Sequence, residues 1–212
     1  MTLYRAVWLV VAPGSRALWR VRVEGADRLP ETGGYVLAPS HRSMMDIPLL
    51  SVITTRRIRF MGKVEAFKIP VLSSIFRALG GFPVARDGTD RKALRDAMAM
   101  LQAGDILAVF PEGTRQRGPK IQPLQPGAAY LALRAGVPVV PVAIAGSEEI
   151  LRAHKLPIPR FGRVVIVIGE PLRPPARDKS TVPRAEVDAT TAGLHDVLQV
   201  AFDEAGSALR GD

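Results

Sequence analysis

The sequence lacks cysteine altogether and has only three histidines among its 212 residues. The missing thiols exclude disulfides, a cysteine nucleophile and cysteine-ligated metal. Aromatic residues are also scarce at 6%, whereas hydrophobic residues make up 47%. The length and this composition predict one domain, with or without a short appendage, built around a largely aliphatic core.

No apolar run reaches the ~20 residues that a membrane-spanning helix needs. A shorter apolar stretch, residues 6–13, has no small-residue cleavage site after it, which argues against a secretory signal. The aromatic residues Tyr4, Trp8 and Trp19 lie within or beside it, together with the basic residues Arg5, Arg16 and Arg20. This pattern favours a helix lying in the membrane interface over residues 1–17, followed by a domain at 18–212. A helix that packs on the core is the alternative.

Acidic residues are outnumbered, with 20 Asp and Glu against 29 Lys and Arg, for a net charge of +9. Such an excess favours polyanions: anionic lipid, phosphorylated substrates, acidic carrier proteins or nucleic acid. An RNA-stacking aromatic pattern and a helix-turn-helix signature are both missing, which argues against nucleic acid. The densest cluster, Arg56, Arg57 and Arg59, is either part of an anion-binding surface or a solvated face.

Short apolar runs alternate with helical patterns along the chain, which predicts an α/β fold with a mixed, largely parallel sheet covered by helices on both faces. Strands are predicted at residues 19–23, 35–38, 58–61, 82–85, 106–110, 137–145 and 164–168. Helices are predicted at residues 45–53, 66–79, 91–102, 127–135 and 185–209. Active sites of such folds gather where strands end, and two polar segments follow strands here, residues 40–46 and 111–117.

The first polar segment contains His41 and, five positions later, Asp46. Histidine accepts protons near neutral pH, and a carboxylate on its other ring nitrogen fixes the tautomer and stabilises the imidazolium. On one regular helix the two side chains would diverge by roughly 140°. His41 is therefore predicted to precede the helix that begins near Asp46. A capping or surface pair is the alternative.

The second polar segment, Phe-Pro-Glu-Gly-Thr-Arg, occupies residues 110–115. Glu112 can accept a hydrogen bond from a hydroxyl, Gly113 permits close backbone approach, and Thr114 can donate. Arg115 can grip a phosphate with its planar guanidinium. An arginine-rich surface loop is the alternative.

Taken together, these two segments resemble motifs of the lysophosphatidic acid acyltransferases, the 1-acyl-sn-glycerol-3-phosphate acyltransferases. Gln116 stands where the family usually has serine, a substitution that we expect to be tolerated. Residues 62–65, with Lys63 and then Pro70, resemble the second motif, and residues 137–142 resemble the fourth. In the stretch 80–86, Ala85 replaces an aspartate that is common in relatives.

The resemblance implies that His41 takes the proton of a glycerol hydroxyl while Asp46 orients it. Arg115 and Lys63 would hold the acceptor phosphate, and Glu112, Gly113 and Thr114 would complete the acceptor site. The donor would be acyl-CoA or an acyl-carrier protein, the acceptor lysophosphatidic acid, and the location the cytoplasmic face of the cell membrane, on its anionic surface. No metal and no cofactor are expected. His154 and His195 lie outside any motif and are read as structural or exposed.

Three other functions remain open from the sequence. The same chemistry could act on glycerol-3-phosphate or another lysophospholipid, since the motifs specify only a phosphate and a hydroxyl. A non-catalytic protein that binds anionic lipid would also suit the charge. A serine hydrolase is disfavoured because no Gly-x-Ser-x-Gly elbow is present.

Overall fold

Seven strands form one sheet within the part of the chain that the computed structural model describes, residues 3–63, 73, 80–84, 91–151, 159–175 and 181–211. The strands are β1 Arg22–Glu24, β2 Tyr35–Pro39, β3 Ile58–Lys63, β4 Gly81–Val84, β5 Ile106–Ala108, β6 Val139–Ala145 and β7 Val165–Ile168. Their order across the sheet is β1-β7-β6-β2-β5-β3-β4.

Six α-helices accompany the sheet in the same described residues. They are α1 Leu3–Trp19, α2 Asp46–Leu50, α3 Arg91–Gln102, α4 Gly127–Ala135, α5 Ser147–Ile150 and α6 Arg184–Arg210. None of them is long and apolar enough to cross a membrane.

Strand direction decides where the site can lie. All neighbouring strands run parallel except β6 and β7, which are antiparallel. The carboxyl ends of β2, β3, β5 and β6 therefore share one edge of the sheet, called the carboxyl edge below. Because β7 runs the other way and β1 follows it, both of those strands begin at this same edge.

Helices cover both faces of the sheet, as the sequence predicts. On one face the core contains the strand residues Tyr35, Leu37, Ile106 and Ile144, and it is closed by Leu49 and Leu50 of α2 and by Trp19 of α1. On the other face, Val36, Leu107 and Val165 pack against α3, α4 and α6. Alternate residues of β2 thus serve opposite cores, which is the period-two pattern of a strand buried on both faces.

The predicted strand at residues 19–23 is wrong at its start. Trp19 is the last residue of α1, its side chain lies in the core, and its indole Nε1 donates to the Arg160 carbonyl at 2.9 Å. Arg20 then takes a positive φ of 39°, which separates the helix from β1. Trp19 continues the inward face of α1, with Trp8, Ala12 and Ser15 at helical spacing before it.

Two further boundaries differ from expectation. The boundary predicted between residues 17 and 18 falls inside α1, which continues to Trp19. The division into an interfacial segment and a domain stays a prediction. The helix predicted from residue 45 to 53 is shorter, because α2 ends at Leu50 and turns follow. The helix predicted at 66–79 lies mostly outside the described residues.

Tyr35 of β2 is expected to make the free energy of unfolding fall with pH in the alkaline range. Its side chain is fully buried, and its hydroxyl has no hydrogen-bond partner among the described residues. Burial raises its pKa to about 12, and the nearby charge of Arg56 offsets that shift only in part. Because the folded state holds this proton more tightly, the stabilisation is complete below pH 10 and is lost as the pH rises to about 12.

We expect the wild-type free energy of unfolding to fall by about 2–3 kcal/mol across this range from Tyr35 alone. Tyr35→Phe should remove that component and leave neutral-pH stability unchanged or higher, since an unpaired buried hydroxyl is lost. Urea denaturation at pH 7, 10 and 11.5 measures both effects. Equal alkaline slopes in the two proteins would contradict the assignment.

Candidate active site

His41 and Asp46 meet at the carboxyl end of β2. The strand ends at Pro39, His41 lies in the loop that follows, and Asp46 is the first residue of α2. His41 therefore precedes the helix, as the spacing argument requires. His41 Nδ1 lies 2.9 Å from Asp46 Oδ2.

Hydrogen bonds fix the buried Asp46 carboxylate. Its Oδ2 also accepts from the backbone N–H groups of Arg42, at 2.7 Å, and Ser43, at 2.8 Å. A carboxylate accepts from His41 only when Nδ1 carries the proton. That tautomer leaves Nε2 of His41 as the basic nitrogen, on a side chain that keeps 16% of its surface exposed.

The loop after β5 forms hydrogen bonds with both backbone polar groups of His41. The His41 N–H donates to Glu112 Oε1 at 3.0 Å, and its carbonyl accepts from the Gln116 N–H at 2.8 Å. The Phe110 ring lies against the imidazole, with 4.1 Å between ring centroids. Gln116 makes this contact through its backbone N–H, which any residue except proline could supply, and tolerance of the replaced serine stays a prediction.

Glu112 is more deeply buried than a substrate-contacting residue is expected to be. Its side chain has no exposed surface. Oε2 accepts from the Gln122 N–H at 3.1 Å and lies 3.6 Å from Arg42 NH1, while Oε1 serves His41. Both oxygens are thus engaged with the protein. The structure places Glu112 as a support of His41, and its contact with an acceptor stays a prediction.

Three residues that follow Glu112 in the same loop, Gly113, Thr114 and Arg115, are exposed. Gly113 turns the chain with a φ of 72°, and Thr114 Oγ1 accepts from Gln116 Nε2 at 3.0 Å. Arg115 follows with an exposed side chain. Two more exposed cations, Arg117 and Lys120, lie in the same loop, whose Gln116 N–H donates to the His41 carbonyl.

The second predicted motif is only partly described. Lys63 is the last residue of β3, so its backbone reaches the carboxyl edge beside β5. Val64, Glu65, Pro70 and Ala85 lie outside the described residues. A role of Lys63 in holding the acceptor therefore stays a prediction.

The arginine cluster at 56–59 does not belong to this site. Arg56 donates to the carbonyls of Pro30, Gly33 and Gly104, and Arg59 pairs with Asp105 at 2.7 Å. These groups precede β2, β3 and β5, at the edge opposite His41. Arg56 and Arg59 therefore stabilise the loops at that opposite edge of the sheet.

Two residues at the site escaped the sequence reasoning. Arg42 is buried, donates to the Lys120 carbonyl at 3.1 Å, and stacks its guanidinium 4.5 Å from the Phe202 ring centroid. Ser147, at the start of α5, donates to Asp46 Oδ1 at 2.5 Å. The feature that could have pointed to Ser147 is its position just after the carboxyl end of β6, because β6 lies beside β2 in the sheet.

His195 lies apart from the pair. His195 of α6 lies 3.2 Å, through Nε2, from the carbonyl of Ile121, which agrees with a structural role. His154 is outside the described residues. Among the residues that are described, no three His, Cys, Asp or Glu side chains are grouped as a metal site would need.

Comparison with known proteins identifies the class. Residues 20–145, which include the His41–Asp46 pair, match the family model described as Acyltransferase, so the chain is an acyltransferase by class. The 1-acyl-sn-glycerol-3-phosphate acyltransferase of Bacillus subtilis is 31% identical over 153 residues, which are 72% of this chain and 73% of that protein. The chain belongs to the family of 1-acyl-sn-glycerol-3-phosphate acyltransferases.

A chloroplast relative and a solved structure agree with this assignment. The chloroplast 1-acyl-sn-glycerol-3-phosphate acyltransferase BAT2 of Brassica napus is 29% identical over 158 residues, 73% of this chain but only 45% of that protein. The crystal structure of the 1-acyl-sn-glycerophosphate (LPA) acyltransferase PlsC from Thermotoga maritima is similar with a TM-score of 0.75 at 28% identity. That likeness covers 95% of this chain and 80% of the other.

Proposed function

We infer that this protein transfers a fatty acyl group to the free hydroxyl of 1-acyl-glycerol-3-phosphate and so forms phosphatidic acid. The observation that carries the inference is the His41–Asp46 pair held beside the Arg115 loop at one edge of the sheet. The pair supplies a base for a hydroxyl, and the loop supplies positive charge for a phosphate. Relatives that bear this activity in their names support the same conclusion.

The chemistry needs no covalent intermediate on the protein. Nε2 of His41 takes the proton of the acceptor hydroxyl as its oxygen attacks the thioester carbonyl, while Asp46 stabilises the imidazolium. Collapse of the tetrahedral intermediate forms the ester and breaks the carbon–sulfur bond. The imidazolium then returns its proton to the leaving thiolate, and His41 is ready for another turnover.

The acceptor phosphate would be held by Arg115, together with Lys63. A guanidinium binds phosphate oxygens through two parallel hydrogen bonds, and such charge-assisted bonds are the stronger kind. Gly113 and Thr114 are exposed next to Arg115, so the acceptor would have access to the backbone there and to the polar side chain of Thr114. The donor is acyl-CoA or an acyl-carrier protein, and either brings negative charge to this basic surface.

An acyl-transfer assay tests the function directly. Purified wild-type protein is given acyl-CoA or acyl-carrier donors, crossed against lysophosphatidic acid, glycerol-3-phosphate, a lysophospholipid with a larger head group, and monoacylglycerol. We expect the highest kcat/KM with lysophosphatidic acid. Activity confined to monoacylglycerol would contradict the proposed acceptor.

Arg115→Ala is expected to raise the KM for lysophosphatidic acid by about 10- to 100-fold, the loss of one or two hydrogen bonds between charged groups. Turnover of monoacylglycerol should change little, since it has no phosphate. Arg134→Ala is the matched control, because Arg134 is exposed near the end of α4, at the opposite edge of the sheet. Equal losses on both acceptors would remove Arg115 from phosphate binding.

We also propose that the protein binds the cytoplasmic face of the cell membrane peripherally through α1. The outward face of that helix exposes Leu9, Val10 and Leu18 among arginines, and Val10 keeps 72% of its surface in solvent. Phe161, 84% exposed, and Met44 add apolar surface at the carboxyl edge. Apolar side chains ringed by arginine suit an anionic lipid interface.

Replacing Leu9 and Val10 together with glutamate should reduce sedimentation with anionic vesicles at least about tenfold, since burial of each side chain contributes about 1.5–3 kcal/mol. Val200→Glu is the matched control: Val200 is an exposed apolar residue of α6, on the opposite face of the sheet. Unchanged sedimentation of the double variant, with wild-type binding intact, would show that α1 is not the anchor.

A further inference from the structure

Asp46 presents two oxygens to two different sets of partners. Oδ2 receives His41 Nδ1 and the N–H groups of Arg42 and Ser43, all from its own loop. Oδ1 receives the hydroxyl of Ser147, 101 residues later in the chain, at 2.5 Å. Both Asp46 and Ser147 are fully buried. Within the described residues, Ser147 is the donor that fixes the side of the carboxylate facing away from His41.

The backbone makes the position of Ser147 specific. Strand β6 runs parallel to β2, so the residues that follow β6 arrive next to the loop that follows β2. Gly146 takes a φ of 91°, and a Cβ there would overlap the carbonyl oxygen of Arg163. This left-handed turn requires glycine and aims the first residue of α5, Ser147, at the carboxylate.

We propose that Ser147 is a positioning residue for acyl transfer, acting on His41 through Asp46. This role rests on the proposed function of the His41–Asp46 pair. A carboxylate held at one oxygen only can rotate about its Cβ–Cγ bond, and rotation would move Oδ2 out of line with Nδ1. With Oδ1 bonded to Ser147, the carboxylate plane is fixed, and the imidazole stays in the tautomer and orientation that present Nε2 to the acceptor.

The competing interpretation is that the Ser147 hydroxyl only joins α5 to α2, the helix that begins with Asp46. Ser40 supplies the control for a purely structural hydroxyl. It is equally buried, and its Oγ accepts from the Ile144 N–H at 2.9 Å, so it joins the end of β2 to β6 without a hydrogen bond to Asp46. Loss of either hydroxyl should lower the melting temperature, but only the loss of Ser147 should act through Asp46.

The test is a double-mutant cycle on the purified 212-residue protein. Ser147→Ala is expected to lower kcat about tenfold with the KM for donor and acceptor unchanged, and Ser147→Thr, which keeps the hydroxyl, to recover most of that loss. In an Asp46→Asn background the same Ser147→Ala change should cost less than about twofold, because the group through which it acts is already altered. Ser40→Ala should lower kcat by the same factor in both backgrounds.

A second readout does not depend on the substrate. The low-field proton resonance of His41 Nδ1 should shift or broaden in Ser147→Ala and keep its wild-type position in Ser40→Ala. A Ser147→Ala loss that persists in the Asp46→Asn background, or an unmoved His41 resonance, would overturn the proposal. If wild type transfers no acyl group in the acceptor panel, the proposed function fails, and the resonance still reports whether Ser147 positions the pair.

Discussion

Replacing His41 with alanine is expected to lower the turnover of acyl transfer by about a thousandfold, the middle of the range that a positioned general base supplies. Because Nδ1 is bonded to Asp46, Nε2 is the ring nitrogen left to act as the base, on a side chain that is 16% exposed. Alanine removes the base and leaves the backbone contacts of residue 41 with Glu112 and Gln116 available. The fold should therefore survive, and the KM for the acceptor should change much less than kcat.

Steady-state kinetics and a melting curve on the same preparation measure this result. His195→Ala is the control for loss of a histidine, because that residue contacts the Ile121 carbonyl rather than Asp46, and its turnover should stay within tenfold of wild type. A non-catalytic lipid-binding protein would behave differently, with no turnover in either form and unchanged vesicle affinity. Turnover within fivefold of wild type in the folded His41→Ala protein would remove His41 from the mechanism.

Replacing Glu112 with alanine should cost about 3–5 kcal/mol of folding free energy, the usual effect of removing one partner of a buried ion pair. The N–H groups of His41 and Gln122 lose their acceptor, and the Arg42 guanidinium, 3.6 Å away, loses its ion-pair partner. Arg42 is buried and would remain charged without a carboxylate beside it. Since the His41 backbone is released at the same time, turnover should also fall in whatever protein remains folded.

Urea denaturation measures the stability change, and Glu170→Ala provides its control. Glu170 pairs with Arg28 on the surface, where such pairs contribute less than about 1 kcal/mol. Combining Glu112→Leu with Arg42→Leu should restore part of the stability that Glu112→Leu alone removes, because no buried charge is left unpaired. A loss below 1 kcal/mol for Glu112→Ala would show that the pair is not what holds the loop.

The parts of the fold that the sequence predicts best are those set by local periodicity. Helices α3 and α4 have the bounds expected, residues 91–102 and 127–135, because each carries a clear apolar stripe and ends at or near a glycine. The placement of His41 before the helix of Asp46 followed from side-chain geometry alone. Strand β5 is shorter than expected and ends at Ala108, since the chain leaves the sheet there to bring Phe110 over His41.

The parts that escaped the sequence depend on contacts between distant segments. Nothing local to Ser147 indicates that its hydroxyl reaches Asp46, and nothing near Arg42 indicates that Phe202 will cover it. The resemblance implied that Glu112 takes part in the acceptor site, and that role stays a prediction. Its support of the His41 backbone was not foreseen, because it requires knowing that residues 41 and 112 meet and that Arg42 is buried beside the carboxylate.

The C-terminal helix α6 supplies contacts to loops formed much earlier in the chain: Phe202 covers Arg42, and Gln199 accepts from the N–H of Ile121 at 2.9 Å. During synthesis, the segment with His41 and Asp46 leaves the ribosome long before the helix that steadies it. The final arrangement of these loops is therefore reached only once the part of α6 that contains Gln199 and Phe202 has been synthesised and has packed against them.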